Sequence, residues 1–175
     1  MMEKGMGLAI LRGAVQFGLD PGVVTVRRSR LTYGVGVLNR FQRGFHPPDK
    51  RVVAAGSEWC ADVLDRFVVV DESVAVGDVV IRPYTPATPG QSTVILHLYA
   101  TPRHDAKFVT EEGVQRVGTL HLELGNQVPD NANVVLNGRR EITVHMKFGD
   151  TEVKASAVDH LTGQVVRANI DFLAL

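Results

Sequence analysis

Apolar and polar positions alternate along much of this chain. In 117–125, Leu120, Leu122 and Leu124 stand against Thr119, His121 and Glu123. In 140–149, Ile142, Val144 and Met146 stand against Thr143 and His145. A period of two sends successive side chains to opposite faces of a strand. Comparable runs are "VVTVRR", "LTYGVGVL", "RFVVV", "GDVVIRPYT", "STVILHLYA", "TEVKASAVD" and "QVVRANIDFL". Turn signals such as "FGDTE" and "DHLTGQ" separate them at short intervals. The pattern predicts a mainly β fold, with antiparallel sheets packed as a sandwich or barrel.

Three segments depart from that rhythm. Over 7–18, Leu8, Leu11 and Val15 recur at helical spacing, as do Ile10, Ala14 and Phe17, and "LDPG" follows as a turn. A short N-terminal helix is expected, and its wide apolar arc calls for a partner surface. Residues 39–64 read as a long connection carrying Pro47-Pro48 and a short helix near Ala61. Residues 125–139 are polar and turn-rich and read as a mobile loop.

The stretch "LTYGVGVLNR" is a strand with an anomaly. Leu31, Tyr33, Val35 and Val37 share one face, and Thr32, Gly34, Gly36 and Leu38 the other. Glycine weakens a strand interior, so it marks a bulge or a place where something comes very close.

Bulk composition narrows the function classes. A chain of 175 residues suits one domain. Nineteen basic residues balance nineteen acidic ones, which gives no support for a nucleic-acid or acidic-membrane binder. The single cysteine, Cys60, allows no intrachain disulfide and fits a reducing, cytoplasmic setting. No apolar run approaches the roughly 20 residues that span a bilayer, and no signal peptide is recognised.

The order of the strands carries a resemblance. "TEVKASAVDHLTGQVVRANIDF" resembles the end of the substrate-binding sandwich of the seventy-kilodalton heat-shock chaperones, with Ser156, Ala157, Asp159, Thr162 and Gly163 matching its strand-closing turn. "REITVHMKFG" and "VGTLHLELG" resemble the strands before it, "QSTVILHLYA" the groove floor and "LTYGVGVL" the first groove strand. "ILRGAVQFG" resembles the closing helix of the ATPase domain. The segments "RRSRLTYGVGVLNRF", "HPPDK", "WC" and "GDTEVKASAVD" look most like the divergent member-twelve (A and B) branch.

The resemblance implies a division of the chain. Residues 1–18 would be a remnant of the last ATPase-domain helix, 19–30 a linker and first strand, and 31–175 a substrate-binding-like sandwich with an insertion at 39–64. The phosphate loops of an ATPase domain and the helical lid are not recognised here, so no cofactor is expected, and ATP would bind a domain of a full-length relative. By the resemblance, extended apolar peptides or unfolded proteins are the expected partners. Val35, Gly36, Leu38, Ala87, Val94, Leu96 and Ile142 would line the peptide groove. An assembly module working through the 7–18 helix, by self-association or with a partner, is the alternative.

Other chemistry is weaker. His97, His121 and His145 invite a zinc reading, but they lack close ligand spacing and read as strand-surface residues, with His46 a loop residue. Cys60 beside Trp59 reads as packing rather than a nucleophile. Arg139-Arg140 could hold an anion, but arginines flanking a strand are ordinarily solvated. No enzyme is expected.

Overall fold

The computed structural model describes residues 25–87, 90–125 and 140–171. These form eleven strands and one 3-10 turn. The strands are β1 (Val26–Arg28), β2 (Thr32–Arg40), β3 (Arg51–Ala54), β4 (Ser57–Val68), β5 (Ser73–Ala75) and β6 (Val79–Tyr84). Then follow β7 (Thr93–Thr101), β8 (Gln115–Glu123), β9 (Ile142–Phe148), β10 (Glu152–Asp159) and β11 (Val165–Asp171). The expected mainly β, antiparallel architecture is what is found. A five-stranded sheet runs β3-β4-β2-β7-β8, a four-stranded sheet runs β11-β10-β9-β6, and β1 with β5 makes a small ribbon.

The alternation read from the sequence points inward as expected. Val35, Leu98, Leu120 and Leu122 of one sheet are almost wholly buried, as are Val144, Met146, Val153 and Ala157 of the other. Each such side chain contributes about 1.5–3 kcal/mol by leaving water. The expected helix over 7–18, and the assembly reading built on it, lie outside the described residues, as does most of the 125–139 loop.

The 39–64 segment corrects the sequence reading. There is no helix near Ala61. β2 runs on to Arg40, a 3-10 turn spans Pro48–Lys50, and β3 and β4 form a hairpin. Its two-residue turn has Ala55 at φ 49° and Gly56 at φ 73°, the mirror-image geometry that matches strand twist. β4 is held on both edges, by β2 and by β3, and farther along Val63 bridges Phe108. Ladders on both sides override any local helical preference.

The Asp159 turn locks the far end of the sandwich. The Asp159 carboxylate is fully buried and accepts a bond from Arg140 Nε at 3.0 Å, a second from the same guanidinium, one from Thr162 Oγ1 at 2.6 Å and one from the Leu161 N–H at 3.1 Å. Gly163 closes the turn at φ 75°, donating to the Asp159 carbonyl at 2.8 Å. Burial pushes the carboxyl pKa upward, but the bonds from Arg140, Thr162 and Leu161 outweigh it and hold the group below its ordinary value. Arg140 is therefore a structural partner and not a solvated arginine. It also donates to the Leu124 carbonyl at 2.8 Å.

Candidate functional site

β2 and β7 pair only over Thr32–Val35, opposite Thr101, Ala100, Tyr99 and Leu98. Past Val35 the two strands part, while β2 stays paired to β4 as far as Arg40. In the same stretch the β2–β4 ladder carries a bulge. Between the pairs Val37–Val63 and Asn39–Cys60, β4 holds the extra residue, with Asp62 at φ 59°.

The gap opens into a groove of about 460 Å³. Gly36, Val37 and Leu38 of β2 and Val94 to His97 of β7 form its two sides. Trp59, Ala61 and Asp62 of β4 and the loop through Pro86 and Ala87 continue the wall. Leu38 and Ile95 are exposed there, at 38% and 51%. One wall is tied across the sandwich, since Tyr84 of β6 donates its hydroxyl hydrogen to the Asp65 carboxylate of β4. Burial first, and then that bond, raise the Tyr84 pKa.

Among the residues singled out from sequence, Gly36, Leu38, Ala87, Val94 and Leu96 come together on this groove. Val94 and Leu96 serve both groove and core. Val35 and Ile142 do not reach it and lie in the core, at 0% and 1% exposure. Trp59, Tyr84, Ile95 and Tyr99 were missed. Trp59 sits in the segment read as a connection, and Ile95 and Tyr99 alternate with the floor residues that the resemblance selected.

The two glycines of β2 have separate explanations. At Gly34 a Cβ would strike the Asp65 carbonyl oxygen and come within 2.9 Å of Leu64 Cδ1. At Gly36 it would lie 2.8 Å from Tyr99 Cε2 and 3.4 Å from Val109 Cγ1. Both a bulge and a close approach are thus present, and the close neighbours belong to this chain itself.

No family model matches the chain. Over 173 residues it is 49% identical to heat shock 70 kDa protein 12A of Mus musculus, a match covering 99% of this chain and 25% of that protein. Over 176 residues it is 54% identical to heat shock 70 kDa protein 12B of Homo sapiens, covering 99% of this chain and 26% of that protein. The chain is a homologue of heat shock 70 kDa proteins 12A and 12B. It spans about a quarter of the length of these relatives.

In this heat-shock homologue the histidines are dispersed. His97 meets Thr119 Oγ1 at 3.1 Å and His121 meets Glu123 at 2.8 Å. His145, on the other sheet, shares the Thr143 hydroxyl with His160, at 3.1 and 2.9 Å. Burial, and secondarily His160, lower the His145 pKa. Among the described residues, no group of three or more His, Cys, Asp or Glu is placed to hold a metal ion. Cys60 is a buried free thiol, and burial raises its pKa. Both features oppose nucleophilic reactivity. No helix among the described residues is long and apolar enough to cross a membrane.

Proposed function

We propose that the domain is a chaperone-like module that holds extended apolar segments of polypeptide. The observation that carries this reading is the parting of β2 from β7 beyond Val35. Among the described residues it leaves one backbone edge on each strand without a ladder partner, above an apolar floor made by Val94 and Leu96. Backbone edges combined with pockets for alternate side chains are how strand-like peptides are recognised. Homology to the heat shock 70 kDa proteins agrees with such a role. The role is binding and not catalysis, and it uses no cofactor within this domain. The free thiol suits a reducing compartment such as the cytoplasm.

The test is a fluorescence anisotropy titration of a labelled, leucine-rich peptide, with Leu38→Asp as the control. Saturable binding that disappears in the variant, with circular dichroism unchanged, is the expected outcome. Failure of the folded wild-type protein to bind would remove the reading.

A further inference from the structure

The groove does not stop at Leu38. Gly36, Leu38 and Arg40 follow one another on one face of β2. Arg40 is cross-strand from Trp59, and its guanidinium lies over the Trp59 ring, 4.9 Å from the centroid. Trp59 also lines the groove, and its indole N–H is occupied by the Ala54 carbonyl at 3.2 Å. Val52, cross-strand from Trp59 on the other side, is exposed at 39%. An apolar track therefore leads out of the groove, with a flattened guanidinium on it.

Among the described residues, Arg40 has no carboxylate within ion-pair reach, and its contact is the stack on Trp59. The neighbouring arginines differ. Arg43 and Arg51 both turn to Glu58, one at 3.4 Å and the other closer. Asp62 at the groove wall is matched by Lys50 at 3.0 Å. The 39–64 arm thus holds four cationic side chains, Arg40, Arg43, Lys50 and Arg51, against the three carboxylates Asp49, Glu58 and Asp62, although the whole chain is neutral. Stacking fixes the plane of the Arg40 fork and leaves its N–H edge available. That is the geometry that takes a carboxylate through two parallel bonds.

We infer that the groove selects extended segments in which an acidic residue lies about two positions from the apolar residue seated beside Leu38. The spacing is that of β2 itself, since Leu38 and Arg40 are two residues, roughly 7 Å, apart along a strand. The inference rests on the peptide-holding reading above and adds the charge of the guest.

The experiment uses the full chain and three labelled peptides with one leucine-rich core and Asp, Asn or Lys at both flanks. The Asp peptide is expected to bind about three- to tenfold more tightly than the Asn peptide, and the Lys peptide more weakly than either. The preference should shrink in high salt and vanish in Arg40→Gln, while that variant still binds the Asn peptide. Equal binding of the three, or a preference that survives Arg40→Gln, would overturn the inference and leave the groove reading standing. No binding of any peptide by folded protein would overturn both.

Discussion

The strand β2 lives in two environments. Its first half is paired on both edges, and Tyr33 and Val35 are as buried as any residue of the core. Among the described residues its second half keeps only the β4 edge, and Leu38 and Arg40 face outward. The sequence pattern is the same in both halves. What changes is whether a neighbour closes the ladder. A closed half contributes stability, and an open half leaves backbone groups and apolar side chains for the guest proposed above.

Three perturbations test that contrast, beginning with the largest. Asp159→Ala strands the Arg140 guanidinium, whose side chain is only 15% exposed. Breaking such a pair should cost about 3–5 kcal/mol in chemical denaturation. The same group gives a pH signature. Its folded pKa is depressed, so its stabilisation is complete above the unfolded pKa and fades as pH falls through the folded one. Melting temperature should therefore drop below about pH 4 in a component that Asp159→Asn lacks. A flat difference between the two proteins across that range would contradict this assignment.

The two glycines give the second, more local test. Gly34→Ala meets a backbone carbonyl that cannot retreat, and about 1–3 kcal/mol of destabilisation is expected. Gly36→Ala meets a tyrosine ring and a valine methyl, which can shift, so its cost should stay below about 1 kcal/mol. Parallel urea titrations would read both. Equal losses would mean that the closed and open halves are equally rigid.

The smallest stability effect is expected at Leu38, the residue on which the peptide-holding proposal leans most. Leu38→Asp should alter the unfolding midpoint by no more than about 0.5 kcal/mol, because the side chain is already part-exposed. Its effect on peptide affinity should be large. A substantial loss of stability would place Leu38 in the core and close the groove.

Strands whose two faces differ in polarity were legible from sequence. Leu120, Leu122 and Leu124, or Ile142, Val144 and Met146, need no other information to be placed inward. β4 was legible only at its end, within "RFVVV", for two reasons. Its hairpin turn uses Ala55 at positive φ, where Asn or Asp is the usual signal, and its longer partner, β2, is separated from it by the whole 41–56 stretch. The groove was legible in part. Leu38 and Ala87 both line the groove, near a strand end and in a loop. Val35 and Ile142 were not separable from groove residues, because an apolar residue on a strand carries no mark of which side of the floor it faces. Trp59 could have been found only by knowing the register of β4.

That register has a consequence for how the arm changes over time. The extra residue at Ala61–Asp62 reverses the odd–even bookkeeping of β4, so that Trp59 and Leu64 lie on the same side of the sheet although an odd number separates them. The arm's two faces are therefore assigned independently of the core's. Deleting one of these two residues would remove the bulge and leave Trp59 opposite Arg40 on the groove side, since an even number would then separate it from Leu64, whereas running the ladder straight with both residues kept would turn Trp59 and Val52 away and bring Glu58 and Arg51 toward the groove. The aromatic wall thus survives the loss of the bulge codon.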